Sequence, residues 1–176
     1  MRVHTLIGAA AIASMAGVAS AEIDLVFENF QAAGSQFSLT DENTVAGSLD
    51  TVAGDFILNF GENFTWADDL CVMIANEDLS DLYMQIGGYS NYGATYRFTW
   101  PTGASGDPGT VAGGVIDIGG IDCTGYYVWL GNGYGGGGIG DWSGAIDLEG
   151  SIDYVPAPGA IALLGLGGLV ARRRRA

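Results

Sequence analysis

Carboxylates are the side chains of this sequence best suited to binding an ion. Asp68 and Asp69 are adjacent, and Glu62 and Asn63 lie shortly before them. Acidic loops of this kind supply the oxygen ligands that Ca²⁺ prefers, although the spacing is not that of an EF-hand loop. Asp68, Asp69 and Glu62 therefore form a candidate calcium site, with a solvated acidic face as the alternative. No other cofactor is expected.

The sequence contains few of the residue types that catalysis requires. The one histidine, His4, lies in the N-terminal segment, so the remainder of the chain has no Ser-His-Asp or Cys-His set and no His-based zinc site. The adjacent carboxylates of Asp68 and Asp69 would point to opposite faces of a strand, which disfavours the facing pair of a glycosidase. The sequence therefore predicts a protein that is not an enzyme and has no catalytic residues.

Tyrosines beside predicted loops offer a second kind of site. Tyr89, Tyr92 and Tyr134 flank polar turns that contain glycine. Exposed aromatic rings present an apolar face together with a polar tip, which suits the stacking of sugars. The alternative is packing at the strand ends, which is favoured most for Trp66 and Trp142. The three tyrosines are a candidate glycan-binding platform, with an extracellular polysaccharide as the partner.

Residues 1–21 have the pattern of a secretory signal peptide. Arg2 precedes an apolar stretch, and Ala19 and Ala21 are the small residues that a signal peptidase reads. The apolar stretch is too short for a transmembrane anchor. The sequence predicts a signal helix that is removed between Ala21 and Glu22.

Charge is unevenly divided along the chain. All 20 acidic residues lie between Glu22 and Asp153, whereas only one of the six basic residues, Arg97, lies there. Such an acidic domain repels nucleic acid and anionic lipid and attracts cations. No nucleic-acid partner is expected.

Two cysteines, Cys71 and Cys123, are present. In an exported chain a disulfide is the default, and it would close a loop of roughly 50 residues. In the chain-entropy model such a bridge stabilises the fold by roughly 4 kcal/mol. The alternative is two buried free thiols.

Alternating apolar and polar residues predict an all-β domain over residues 22–154. In AIDLEGSIDY, Ile146, Leu148 and Ile152 would face the core, and Asp147 and Glu149 would face water. The continuous apolar runs LCVMIA and YYVWL predict central strands. Short strands with glycine-rich turns favour an antiparallel β-sandwich or jelly roll. Strands are expected at 56–60, 70–75, 83–86, 115–118 and 126–130.

The C-terminal segment, residues 155–176, consists of three parts in order. A Pro-x-Pro motif is followed by an uncharged apolar span and then by an arginine cluster. As a helix the span would be roughly 25 Å long, at the lower limit for crossing a bilayer, and the arginines would stop translocation. The alternative is a basic tail on a core strand. The motif is Val155, Pro156, Ala157, Pro158 and Gly159, and the cluster is Arg172, Arg173, Arg174 and Arg175.

This tail, paired with the signal peptide, resembles the PEP-CTERM sorting signal of Gram-negative bacteria. Ala157 stands where the family motif has Glu, and the resemblance covers about the last 22 residues. It implies that signal peptidase and an exosortase, which is an integral-membrane protease or transpeptidase, handle the chain during export. It further implies a transient inner-membrane anchor through the tail alone, and a final place at the cell surface or in the extracellular matrix of a biofilm.

The middle of the chain carries a second resemblance. FTWADDLCVMI followed by IGG, and GYYVWLGNGYGGGGIGDWSGAIDLEG, are similar to motifs of the jelly-roll P domain of proprotein convertases and its bacterial relatives. This implies a jelly roll and no peptidase activity. The sequence as a whole predicts an exported, non-enzymatic surface or matrix protein. A carbohydrate-binding module and a calcium-stabilised adhesive module are the alternatives, and all three share one fold.

Overall fold

The computed structural model describes residues 21–136 and 138–155, and this part of the chain is all-β. A 3₁₀ turn, Ala67–Asp69, precedes the fifth strand. The strands are β1 (Ala21–Ala33), β2 (Phe37–Leu39), β3 (Thr44–Ala46), β4 (Ser48–Gly61), β5 (Leu70–Ala75), β6 (Leu82–Gly87), β7 (Tyr96–Phe98), β8 (Val111–Asp122), β9 (Tyr127–Asn132), β10 (Ile139–Gly150) and β11 (Asp153–Val155).

The strands form two main sheets and one short ribbon. Sheet A has the order β1-β10-β4-β8 and is antiparallel throughout. Sheet B has the order β2-β9-β5-β6-β7, and β11 pairs with β3. The predicted all-β class is confirmed. The expectation of purely antiparallel pairing is wrong for β6 and β7, which are parallel. After β6 the chain runs back to the start of that strand, where the Thr95 N–H bonds to the Leu82 carbonyl oxygen, and β7 then follows in the same direction as β6.

One apolar core lies between the two sheets. Sheet A contributes Val52, Phe56 and Leu148 among others, and sheet B contributes Val72 and Met84. Each side chain of this size that is fully buried contributes roughly 2 kcal/mol. The structure is therefore sandwich-like, with the interior supplied by facing sheets.

The burial of β10 and β5 follows the sequence pattern. Ile146 and Leu148 are fully buried, and Glu149 is exposed, as the alternation predicts. Every residue of Leu70–Ala75 is buried, and β5 is the middle strand of sheet B. The predicted central position of LCVMIA is confirmed.

Two indoles fasten the segment that joins β4 to β5. Trp142 of β10 donates from Nε1 to the Ala67 carbonyl oxygen at 3.1 Å, and Trp100 donates from Nε1 to that of Leu70 at 2.7 Å. Gly87 has a φ of +79°, and a Cβ there would collide with the Trp100 indole. A residue with a side chain is therefore excluded at the end of β6.

The predicted disulfide between Cys71 and Cys123 is wrong, because both residues are buried free thiols. Cys71 lies near the start of β5, opposite Gly131. The carbonyl oxygen of Cys123 accepts a hydrogen bond from the N–H of Tyr126. The next residue, Tyr127, pairs with Ala75 at the far end of β5. The strand between these ends is roughly 13 Å long, whereas a disulfide needs Cα atoms within about 7 Å.

The predicted terminal segments lie outside the described residues. These comprise the signal helix with Ala19, and the chain from Pro156 onward with the apolar span and the arginine cluster. Ala21 opens β1 opposite Gly150, and Val155 ends β11 opposite Thr44. Within residues 21–136 and 138–155, no helix has the length and hydropathy to span a membrane.

Both thiols should be protected from alkylation in the native state. Burial raises the pKa of Cys71, and it raises the pKa of Cys123 to about 11, so neither is a thiolate at neutral pH. We expect iodoacetamide to label neither cysteine in the folded protein and both in guanidinium chloride without reductant, as read by intact mass. A denatured protein that resists alkylation until it is reduced would contradict this.

Candidate functional site

A cavity of about 500 Å³ opens where four connections meet. These are the β4–β5 connection, the β6–β7 loop, the start of the β7–β8 connection and the β9–β10 loop. Its size is that of a site for a small molecule or a short oligosaccharide. The aromatic and charged residues that line it are Phe64, Trp66, Asp68, Asp69, Tyr89, Arg97, Trp100 and Tyr134.

The backbone of residues 66–70, hereafter the joint segment, forms one wall of the cavity. The Gly88 N–H donates to the Asp68 carbonyl oxygen at 2.9 Å, and the Gly133 N–H donates to that of Asp69 at 2.7 Å. Gly88 and Gly133 also touch each other closely, since a Cβ on Gly88 would lie 2.8 Å from the Gly133 Cα. The two loops are thus fixed to the joint segment by main-chain bonds.

The Asp69 carboxylate positions two aromatic residues at the cavity. Its Oδ2 accepts the Trp66 N–H at 2.7 Å, and its Oδ1 accepts the Tyr89 N–H at 3.2 Å. Asp69 is itself buried. One side chain therefore sets the backbone of both Trp66 and Tyr89.

Burial dominates the electrostatics of Asp69. It raises the pKa of this carboxyl to about 6. The hydrogen bond from Trp66 opposes the rise, the charge of Asp68 adds to it, and the bond from Tyr89 opposes it. The carboxylate is thus held in a position that disfavours its charge.

Asp68 is the polar group of the cavity with an unmet hydrogen bond. Its Oδ1 is buried and has no hydrogen-bond partner among the described residues, while the residue as a whole is half-buried. Burial raises its pKa, and a hydrogen bond to its own backbone opposes the rise. Leaving a buried acceptor without a donor is unfavourable, so this oxygen adds to the cost of ionising Asp68.

Large aromatic rings stand exposed around the cavity mouth. Phe64 is 83% exposed, Tyr89 75% and Trp66 42%. The rings of Tyr89 and Tyr134 contact edge to face with centroids 6.1 Å apart. Phe64 has a φ of +66°, an uncommon conformation for a residue with a side chain. A strained turn that displays an apolar ring is typical of a contact surface.

Arg97 is the one basic residue within the described part of the chain. Its Nη2 donates to the carbonyl oxygens of Gly88 at 3.2 Å and Tyr89 at 2.9 Å. Among the described residues no carboxylate forms an ion pair with it. Arg97 therefore orders the β6–β7 loop and places one positive charge in the lining of the cavity beside the two aspartates.

The predicted glycan platform is brought together in part. Tyr89 and Tyr134 meet at the cavity. Tyr92 does not join them: its ring packs edge to face on Phe37 at 5.6 Å, and its hydroxyl is hydrogen-bonded to Ser35 Oγ at 2.9 Å. Closeness to Tyr89 in the sequence therefore does not predict the direction of the Tyr92 side chain.

The sequence pattern does not single out two contributors, Phe64 and Arg97. For Trp66 the sequence favours packing at a strand end, but the side chain is exposed at the cavity. The packing role expected of Trp142 is confirmed, since this indole is fully buried. The signal for Trp66 was its place directly before Ala67 and the two aspartates, in a segment with no strand pattern.

The predicted calcium ligands are not gathered. Both oxygens of Asp69 accept backbone N–H groups, and Asp68, Asp69 and Glu62 do not form a ligand group among the described residues. Glu62 lies in the turn that pairs with Ile139 and does not line the cavity. The structure therefore does not bring the three expected calcium ligands together.

A different acidic group lies on the outer face of sheet A. The carboxylate oxygens of Glu22, Asp24 and Asp147 lie within 4.8 Å of one another. The charge of Asp24 is the main cause that raises the pKa of Glu22, and burial followed by Asp24 raises that of Asp147. These are like charges on neighbouring strands, which repel across the pair.

No protein-family model matches this chain, and no curated protein or solved structure matches it either. The resemblances to a PEP-CTERM tail and to a P domain remain predictions. The cavity is therefore interpreted from its own geometry.

Acid should stabilise the protein through Asp69. Since its pKa is about 6 in the folded state and near 4 unfolded, folding takes up a proton between these values, and the free energy of unfolding rises as the pH falls through this window. We expect the wild type to gain roughly 1–3 kcal/mol relative to Asp69→Asn between about pH 7 and about pH 4, measured by urea unfolding.

Asp78→Asn is the matched control. The Ser80 side chain and backbone lower the pKa of Asp78, so the wild type should lose stability relative to this variant as the pH falls. Parallel pH dependences for the wild type and Asp69→Asn would contradict the role of Asp69.

Proposed function

We propose that this chain is an exported, non-enzymatic protein of the cell surface or extracellular matrix whose β domain binds a carbohydrate at the cavity. The observation that carries the proposal is the cluster of aromatic rings, the exposed Trp66 and Tyr89 and the partly buried Tyr134, around a concavity that Asp68 also lines. Concave sites with aromatic walls and a few fixed polar groups are typical of ligand-binding sites.

The chemistry of a sugar matches these groups. A pyranose ring has an apolar face that packs on aromatic rings and a rim of hydroxyls that donate hydrogen bonds. Trp66 and Tyr89 supply the rings, and Asp68 supplies an acceptor. Since Asp69 already fixes the backbone of both aromatic residues, little ordering remains to be done on binding, which favours affinity.

The export route and the finer fold class are parts of the same proposal. The signal peptide would end at Ala21, and an exosortase would remove the tail at or near the Val155–Gly159 motif. The support is the sequence pattern at both ends and the run of strands from Ala21 to Val155, which occupies the interval between the two processing sites. We further infer a jelly-roll type of sandwich, on the motif resemblance and the two facing sheets.

Removing one exposed ring should weaken sugar binding. We expect Trp66→Ala or Tyr89→Ala to lower affinity for a bound polysaccharide by roughly tenfold, because each removes a stacking face of about 1.4 kcal/mol. Affinity electrophoresis in gels that contain a panel of extracellular polysaccharides, followed by calorimetry with oligosaccharides, measures this.

Phe60→Ala is the matched control, because Phe60 is 48% exposed and does not line the cavity. If no polysaccharide in the panel retards the protein, the carbohydrate proposal fails and a purely structural matrix role takes its place. An equal loss in Phe60→Ala would also contradict the site.

A further inference from the structure

We infer that the carbohydrate bound in this cavity is an amino sugar, with its ammonium group on the carboxylate of Asp68 and its ring against Trp66 and Tyr89. This inference rests on the proposed function and names the class of sugar.

The first support is the charge balance of the cavity. Asp68 and Asp69 line it, and Arg97 is the one cation among its described lining residues. The described guanidinium bonds of Arg97 go to the backbone carbonyls of Gly88 and Tyr89. When both aspartates are ionised, the described lining has a net charge of −1, from two carboxylates and one guanidinium, and a cationic ligand would balance it.

The second support is the division of roles between the two aspartates. Both oxygens of Asp69 are occupied by backbone N–H groups, so this carboxylate is committed to structure. Asp68 lines the cavity, and one of its oxygens has no hydrogen-bond partner among the described residues. An ammonium group brings both hydrogen and positive charge, and such charge-assisted bonds are about twice as strong as those from a neutral hydroxyl.

The third support is the nature of the walls. The faces of Trp66, Tyr89 and Tyr134 attract cations through their ring quadrupoles. A sugar that bears a carboxylate would instead meet the like charges of Asp68 and Asp69. The net charge of the chain, −14, also concentrates cationic polymers near its surface.

The test uses the exported protein and three oligosaccharides of equal length that differ only at C2 of each ring. These are glucosamine, N-acetylglucosamine and glucose oligomers, measured by calorimetry at about pH 7, which is above the pKa of about 6 of Asp69 and below that of a free amino group. We expect the glucosamine oligomer to bind at least tenfold more tightly than the other two. This comparison needs no altered protein, so it decides even if a variant fails to fold.

Asp68→Asn keeps the size of the side chain and removes its charge. It should abolish the preference for glucosamine and retain binding of the neutral oligomers. Asp117→Asn is the matched control, since it makes the same change in net charge at an exposed residue outside the cavity. It should keep the full preference.

The outcomes are distinct. Equal affinity for all three oligomers, or a preference that survives Asp68→Asn, would overturn the inference and leave carbohydrate binding in place. A preference lost equally in Asp117→Asn would overturn it in favour of general electrostatic attraction. Competition by polylysine as effective as that by the glucosamine oligomer would overturn the sugar class. Binding of none of the three would count against the proposed function itself.

Discussion

The hydrogen bonds of the joint segment, residues 66–70, are the constraint on which the site depends. Buried carbonyl groups must find donors, and here the Trp142 indole of sheet A serves Ala67 while the Trp100 indole serves Leu70. Each bond contributes only about 1 kcal/mol net, but a buried carbonyl left without its donor costs about 1–3 kcal/mol. The segment therefore holds sheet A to the start of β5, and the cavity forms beside it.

The same segment carries charge that the fold disfavours. Asp69 is buried and accepts two backbone N–H groups, and one oxygen of Asp68 has no partner in the part of the chain that the structure describes. The apolar core between the sheets is large enough to offset these local penalties. Unfavourable polar groups that persist in an otherwise well-packed fold are concentrated where a ligand supplies what is missing.

The sequence was informative where a short-range pattern decides the structure. Alternation over residues 145–154 identified the buried and exposed faces of that segment, and the apolar run Leu70–Ala75 identified a central strand. Both follow from the geometry of a strand, in which successive side chains point to opposite faces of the sheet. The full length of β4, Ser48–Gly61, was missed, since Asp50, Thr51 and Gly54 interrupt the pattern. The parallel pairing of β6 with β7 was missed because it depends on the path of the chain.

The site was predictable only in part for the same reason. Tyr134 and Tyr89 lie far apart in sequence and meet, whereas Tyr92 turns toward Phe37. The expected export of the chain and its even number of cysteines favoured a disulfide. Cys71 and Cys123 nevertheless lie near opposite ends of β5 and are free thiols. Side-chain direction at loop ends and the separation of two residues across a sheet are set by tertiary packing, which one sequence does not encode in a local pattern.

The most direct test of the account is an NMR titration that observes the indole N–H signals of the four tryptophans during addition of a glucosamine oligosaccharide. Trp66 lines the cavity, whereas Trp129 lies on β9 and does not. The account predicts a saturable shift of the Trp66 signal, assigned through Trp66→Phe, with the Trp129 signal unmoved. A Trp66 signal that stays in place while the sugar binds, or a shift confined to Trp129, would contradict it.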